Sequence, residues 1–415
     1  MSFKRTAVLF LSMFLILAIM APATSAKTTI TFMTPLDGAD GAYMDEIIAR
    51  FNAEHPDIEV VHLVVANSLE YKMKVGTGIA TKSAPEALFM RKADTPDYLK
   101  EFRAFSEKEL LDYGIDINDI YPSILEGLAE DGRVYGIPLD CWIFYLVYNR
   151  GNFSKAGLDP DRPPTTRKEW MDAMEALKAI TPKGLTPHYE SPTWSWFWLH
   201  LMWQFGGDLL TPDYKEPAFQ EAGVEALKLM LEMQEKGYFP DAPIDPGPPF
   251  HAGDASVLIT GIWTFGPFKE ALGDDYGAAP VPQLGTHDAV FGGSHVLALP
   301  NVMVEDPQVM EAAMTWIKYL WDHAIDWYAA GQTPARKSIA EGDELKNRLP
   351  EIYNISQQLP HVKTFQMSPI ISEVLDEVAI YLEDVLITRQ LTPEKAMSLA
   401  AESVEEILED YWWDK

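Results

Sequence analysis

The spacing of strand-like and helix-like segments near the N-terminus is the feature that most constrains the fold. A β-rich run at residues 28–33 precedes apolar residues at helical spacing in 43–51, and a second β-rich run follows at 58–65. Two strands joined by one helix in so short a stretch predict a βαβ unit, in which the strands are parallel neighbours. The sequence therefore predicts an α/β fold.

The same alternation recurs in the second part of the chain. Strand-like runs lie at residues 143–148, 255–260 and 291–299, and helical patterns lie at 166–180 and 222–235. A chain of 415 residues is long for a single core. We therefore expect two α/β units, each with its own sheet.

Residues 1–26 have the pattern of a secretory signal peptide. Lys4 and Arg5 precede an apolar run at residues 7–20, and small residues ending at Ala26 suit cleavage at that point. The run is shorter than the roughly 20 residues that a membrane-spanning helix needs, although an uncleaved anchor is the alternative. We expect an exported protein.

The net charge and the single cysteine bear on the partners and the cellular location of the protein. The formal net charge is −29, and such an acidic chain is repelled by nucleic acids and anionic lipid surfaces, so we expect neither as a partner. Cys141 is the only cysteine, so we expect no internal disulfide and no lipid attached behind the apolar run. These features predict free diffusion in a periplasm.

Residues 191–203 hold four of the chain's twelve tryptophans. From about Ser195 onward the segment has a helical pattern that is apolar nearly all round, and this predicts burial. Trp194 and Trp196, at the first turn, suit either a core or a ligand site. We expect the core to include Phe197, Trp198, Leu201, Met202 and Trp203.

Several short motifs occur in a fixed order along the chain. They are FNAEHPDIEV at 51–60, ATKSAPE at 80–86, DGRVYGIP at 131–138, LVYN at 146–149, FSKAGL at 153–158, PPTT at 163–166 with Trp170, FHAGDASVLITGIW at 250–263, GGSH at 292–295 and GQTPAR at 331–336. In this order they resemble the extracellular solute-binding proteins of bacterial ABC importers, in the carbohydrate-binding, maltose-binding-like branch. Lys82 and Glu86 depart from that pattern, which has Gly and Asp at these places.

The resemblance implies a two-lobe periplasmic-binding-protein fold of the type II kind. Each lobe would be a mixed sheet flanked by helices, with the ligand in a cleft between lobes that close on binding. The chain would cross between lobes near residues 140–143, 293–297 and 332–336. We predict an N-terminal lobe from 27–140 plus 295–333 and a C-terminal lobe from 141–294 plus 334–415.

Candidate ligand residues follow from the resemblance, which implies the tryptophans, and from strand ends and the chemistry of sugars. Aromatic rings cover the apolar faces of a sugar, while carboxylates, arginine and histidine bond its hydroxyls. We expect ligand contact from Trp263, Trp194, Trp196, Trp142, His295, Asp37, Arg91, Asp94, Glu70 and Arg336. Tyr189 and Glu190 are weaker candidates.

Each candidate also has a structural alternative. The rings can pack in a core, and His295 can hold a structural hydrogen bond. Asp37 can cap a turn, and Glu70 suits the start of a helix in any case. Arg91 and Arg336 can pair with neighbouring acids.

Motifs of catalysis and metal binding are missing from the sequence. It contains no G-x-S-x-G, no H-E-x-x-H and no phosphate-binding glycine loop, and its nine histidines show no ligand spacing. We therefore predict a monomer without cofactor or metal that captures a carbohydrate, in the first place an oligosaccharide, and delivers it to the transmembrane subunits of an ABC permease. Two alternatives stay open: a sugar phosphate or an amine bound by the same fold, and an exported carbohydrate-active enzyme with a pair of acids.

Overall fold

A computed structural model describes residues 27–180, 194–238, 245 and 247–413. The predicted signal peptide and the weaker candidates Tyr189 and Glu190 lie outside the described residues.

Strands and helices alternate along the described chain. The strands are β1 (Thr28–Thr34), β2 (Ile58–Val64), β3 (Ala87–Arg91), β4 (Phe105–Ser106), β5 (Ala129–Glu130), β6 (Arg133–Val134), β7 (Ile137–Pro138), β8 (Asp140–Asn149), β9 (Val257–Gly261), β10 (Tyr276–Ala279), β11 (Val290–Gly293), β12 (His295–Ala298), β13 (Thr333–Pro334) and β14 (Val362–Lys363). The helices of the first half are α1 (Gly38–Glu54), α2 (Ser68–Thr81), α3 (Glu107–Asp112), α4 (Pro122–Leu125), α5 (Arg150–Lys155), α6 (Arg167–Lys178) and α7 (Ser195–Gln204). Those of the second half are α8 (Gln220–Glu235), α9 (Gly247–His251), α10 (Phe265–Leu272), α11 (Pro307–Asp322), α12 (Ala324–Tyr328), α13 (Lys337–Ala340), α14 (Asp343–Arg348), α15 (Pro350–Ser356), α16 (Ile371–Leu386) and α17 (Pro393–Trp413).

The first sheet has the strand order β2-β1-β3-β12-β7. β1 runs parallel to both β2 and β3, so the βαβ prediction is confirmed, whereas β12 is antiparallel to its neighbours β3 and β7. A helix from late in the chain, α11, packs on this sheet. Its Trp316 ring lies edge-on to Phe32 at 5.3 Å and to Phe51 at 5.0 Å between centroids.

The second sheet is built around β8. Its strand order is β10-β8-β11-β14, and β9 and β13 also pair with β8. β11 and β14 are parallel and the other pairs are antiparallel, so this sheet is mixed like the first. All ten residues of β8 are buried, as expected for a strand covered on both faces.

Three short segments carry the chain between the sheets. Leu139 separates β7 from β8, and Ser294 separates β11 from β12. β13 then returns to pair with Cys141 and Asp140 at the start of β8. The lobe boundaries given above stay a prediction.

Helix α7 is buried almost all round because it lies between helices α8 and α16 and strand β11. Trp198 is completely buried, its indole Nε1 donates to the Gly223 carbonyl at 3.1 Å, and its ring lies edge-on to Phe219. The prediction of a core helix is therefore confirmed. Its buried members include Phe197, Trp198, Leu201, Met202 and Trp203.

Replacement of Trp198 should show how much this helix contributes to stability. We expect Trp198→Ala to lower the free energy of unfolding by about 3–5 kcal/mol, because it leaves a large cavity in the core. Urea denaturation followed by circular dichroism measures the change. Trp413→Ala, at a side chain that is 88% exposed, is the control and should change stability by less than about 0.5 kcal/mol. Equal losses in both variants would contradict the assignment.

Candidate functional site

A cavity of about 250 Å³ lies between the two sheets. Its polar side chains are Asp37, just beyond β1, Arg91, at the end of β3, and His295, at the start of β12, together with Asp40 and Gln332. Its aromatic side chains are Trp142, Trp196 and Trp263, which come from β8, α7 and the segment after β9. The cavity therefore lies at the carboxyl ends of β1, β3 and β9, where α/β sheets bind ligands.

Two larger hollows, of about 670 and 570 Å³, lie on the surface of the described part of the chain. The first is lined mainly by glutamates of α8 and α17 and the second by residues around α2. Neither combines aromatic rings with polar groups from several strand ends, so size alone does not mark the site.

The three tryptophans form one aromatic wall. The rings of Trp142 and Trp196 are nearly parallel, with an angle of 11° and 6.0 Å between centroids. Trp263 lies edge-on to both, at 5.6 and 6.4 Å. Trp142 is only 7% exposed and supports the wall from behind, so the half-buried rings of Trp196 and Trp263 offer most of the surface.

Two glycines make room for this wall. A Cβ atom on Gly293 would lie 2.0 Å from the Trp142 ring, and a Cβ atom on Gly261 would lie 1.9 Å from the Trp263 ring. No side chain fits at such distances, so glycine allows the rings to lie flat against the backbone of β11 and β9.

The carboxylate of Asp140 fixes the orientation of His295. It is fully buried and accepts hydrogen bonds from the His295 backbone N–H and ring Nδ1, both at 2.8 Å, and from Trp327 Nε1 at 2.7 Å. The imidazole also stacks on Phe89 at 4.7 Å between centroids. Because Nδ1 donates to Asp140, Nε2 is the ring nitrogen left to meet a ligand. His295 thus has both roles that the sequence left open: a structural hydrogen bond and a place in the cavity wall.

Asp40 and Gln332 line the cavity although the sequence analysis missed both. Burial raises the pKa of Asp40 to about 6, with smaller contributions in the same direction from Asp140 and Asp37, whereas His295 and Gln332 lower it. The Gln332 amide nitrogen lies 3.5 Å from Asp40 Oδ2. Asp40 could have been found from its position three residues after Asp37, since that spacing sets both on one side of a helix start.

Arg91 is the only lysine or arginine among the residues lining this cavity. It is exposed, and its guanidinium makes no hydrogen bond or ion pair with any described side chain, so its donors are available to a ligand. Six predicted residues thus meet in one cavity: Trp142, Trp196, Trp263, His295, Asp37 and Arg91.

Trp194 and Arg336, by contrast, are not among the residues lining the cavity. Trp194 is only 1% exposed and precedes α7 with a left-handed φ of 55°, so its ring belongs to the core. Arg336 donates to Asp119 at 3.1 Å and to the Trp321 carbonyl at 3.0 Å, and its guanidinium covers the Trp321 ring. These partners engage its Nε and Nη1 donors.

Asp94 and Glu70 also lie outside the cavity. The Asp94 carboxylate is 3.8 Å from the Lys72 ammonium, and burial raises its pKa. Glu70 is exposed at the start of α2 and lies 3.6 Å from Lys74. It lines the second of the two surface hollows, the one around that helix. The helix-start alternative therefore describes the position of Glu70.

The described residues contain no group of three or more His, Cys, Asp or Glu side chains arranged to hold a metal ion. No helix in the described part of the chain has the length and apolar character needed to cross a membrane.

Comparisons with known proteins agree on one family. A family model described as "Bacterial extracellular solute-binding protein" matches residues 46–351. The sn-glycerol-3-phosphate-binding periplasmic protein UgpB of Escherichia coli K12 is 24% identical over 437 residues, covering 94% of this chain and 95% of that protein.

Solved structures extend the likeness to the fold. The sugar-binding protein MalE of Xanthomonas citri has a TM-score of 0.79 at 21% identity, covering 93% of this chain and 98% of its own. UgpB of Mycobacterium tuberculosis, in complex with glycerophosphocholine, has a TM-score of 0.77 at 20% identity, covering 93% and 99%. These likenesses confirm the predicted two-lobe α/β fold with a mixed sheet in each lobe.

Removal of the Asp140 carboxylate tests its structural role. We expect Asp140→Ala to lower the free energy of unfolding by about 3–5 kcal/mol, because three buried N–H donors lose their acceptor. Asp172→Ala removes an exposed carboxylate paired with Lys168 and should cost less than about 0.5 kcal/mol. Urea denaturation of both variants measures the difference, and a loss for Asp140→Ala no larger than the control would refute this role.

The pKa of Asp40 predicts a pH dependence of stability. Since its folded pKa of about 6 lies above the ordinary 3.8, the folded state binds the proton more tightly, and this stabilisation is lost as pH rises from 4 through 6. We expect Asp40→Asn, without ligand, to be more stable than wild type at pH 8 by about 1–3 kcal/mol, with a smaller difference at pH 4. Urea denaturation at several pH values checks this. A difference that does not change with pH would contradict the assignment.

Proposed function

We propose that this chain, which belongs to the bacterial extracellular solute-binding proteins, captures a carbohydrate in the cavity between its lobes. It is the solute-binding component of an ABC importer, and such components deliver a small molecule to the membrane permease. The carbohydrate assignment rests on one observation: two half-buried tryptophan rings stand beside several hydroxyl-bonding groups in a single cavity.

The aromatic wall and the polar side chains of the cavity suit the two kinds of surface on a sugar. The C–H faces of a pyranose pack on flat rings, so Trp196 and Trp263 would cover one face. Hydroxyls on the rim would bond Asp37, Asp40 and Arg91 through charge-assisted hydrogen bonds. MalE of Xanthomonas citri, which shares the fold, is named as a sugar-binding protein and supports the same assignment.

The size of the cavity favours a short saccharide. Its volume of about 250 Å³ lies just below the roughly 300–1,000 Å³ typical of sites for drug-sized ligands. We therefore propose one or two sugar rings as the part that is enclosed, with any further rings of an oligosaccharide outside this cavity.

A cationic solute is the second candidate. Three tryptophans and two carboxylates in one cavity also suit an ammonium group, which is attracted to ring faces and to acids. Choline and betaine therefore belong beside the saccharides in any binding panel.

We further propose that the solute is released unaltered and that the protein acts as a periplasmic monomer without nucleic-acid partners. Incubation of a bound saccharide with the purified protein, followed by chromatography, tests the first part. Formation of a cleaved or transferred product would favour the exported enzyme instead.

Substitution in the aromatic wall tests the carbohydrate assignment. We expect calorimetry to show binding of a neutral mono- or disaccharide to the wild-type protein. Trp263→Ala should lower the affinity for that saccharide at least about tenfold, because the stacking surface is lost. The control variant Trp413→Ala, which changes an exposed side chain in the last helix, should bind the saccharide normally. If no saccharide in a broad panel binds the wild-type protein, the assignment fails.

A further inference from the structure

The polar groups of the cavity are mostly hydrogen-bond acceptors. Asp37 and Asp40 contribute carboxylates, and Gln332 contributes an amide oxygen. Because His295 Nδ1 donates to Asp140, Nε2 is the ring nitrogen that a ligand can meet. Arg91 is the only lysine or arginine of the set.

One of these acceptors, the amide oxygen of Gln332, has no hydrogen-bond donor among the described residues. The side chain is only 1% exposed. A buried amide oxygen without a donor destabilises the folded protein, so a ligand that donates to it would relieve that cost.

The orientation of the amide follows from its neighbour. Gln332 Nε2 lies 3.5 Å from Asp40 Oδ2, and the opposite orientation would set the amide oxygen against the carboxylate. Asp40 thus holds the Gln332 oxygen free, while its own second oxygen makes no hydrogen bond with the described side chains. The two residues therefore offer neighbouring acceptors in the cavity.

A phosphate is the wrong partner for these acceptors. Its oxygens are acceptors themselves and carry negative charge, whereas Asp37 and Asp40 line the cavity and the buried Asp140 carboxylate lies behind it. Arg91 is the only arginine or lysine lining the cavity, so a phosphate would share its one guanidinium with the carboxylates of Asp37 and Asp40.

We propose that Asp40 and Gln332 determine specificity: they accept hydrogen bonds from one hydroxyl edge of the solute and exclude phosphorylated solutes. This inference rests on the proposed function, and it separates the chain from relatives named for binding sn-glycerol 3-phosphate. The expected solute is therefore an unphosphorylated sugar.

Calorimetry on the mature chain at pH 7.5 tests the exclusion. Glucose, maltose and related neutral sugars are titrated beside glucose 6-phosphate, glucose 1-phosphate and sn-glycerol 3-phosphate. We expect the best neutral sugar to bind at least about 100-fold more tightly than any of the phosphates. A phosphate that binds as tightly as the best neutral sugar would overturn the inference but leave carbohydrate capture standing. Binding of phosphates with no sugar bound would overturn both.

Two variants test the residues themselves. Gln332→Leu removes the unsatisfied oxygen at similar volume, so the melting temperature should not fall, whereas affinity for the neutral sugar should fall at least about tenfold. Asp40→Asn should weaken binding of the neutral sugar and reduce the difference in affinity between that sugar and the phosphates. Gln357→Leu, at an exposed glutamine, is the matched control and should bind normally.

The melting temperature separates a ligand role from a structural one. Loss of affinity with an unchanged or higher melting temperature supports the inference. Unchanged affinity in Gln332→Leu would overturn it, as would a fall in melting temperature that accounts for the lost binding.

Discussion

Asp140, through its buried carboxylate and its backbone, joins the three segments that carry the chain between its sheets. It starts β8, bonds His295 at the start of β12 and Trp327 of α12, and its backbone pairs with Pro334 of β13. Ser294 also donates to its carbonyl at 2.7 Å. Because a buried charge is costly without partners, these bonds hold the crossing segments in one arrangement. The cavity lies directly beside them.

The aromatic wall depends on the same crossing. Trp142 follows Asp140 by two residues, and Gly293 precedes the second crossing segment, so the ring can lie against the backbone of the paired strand. Trp263 uses Gly261 in the same way on β9. A ligand that stacks on Trp196 and Trp263 would therefore rest on a surface attached to the segments that cross between the sheets.

The polar end of the cavity is arranged at some cost to the ligand-free protein. Asp40 is half-buried, and this desolvation, with smaller contributions from two neighbouring carboxylates, raises its pKa. The Gln332 oxygen has no donor among the described residues. Strain of this kind is common at binding sites, where a partner relieves it. Both features favour a solute that brings hydrogen-bond donors, and in this respect the cavity differs from one built for phosphate.

The sequence by itself determined the βαβ start, the core helix α7 and the order of motifs, since periodicity and turn residues act over a few neighbouring positions. It also indicated six cavity residues, four of them from recognisable strand ends, whereas Trp142 and Trp196 came from the resemblance. The tertiary structure decided what depends on distant partners: Trp196 reaches the cavity whereas Trp194, two residues earlier, turns into the core through its left-handed backbone. Likewise, Arg91 stays available while Arg336 meets Asp119, and Gln332 lies beside Asp40 although 292 residues separate them. No local pattern carries such information, because each contact arises from segments that meet only in the folded protein.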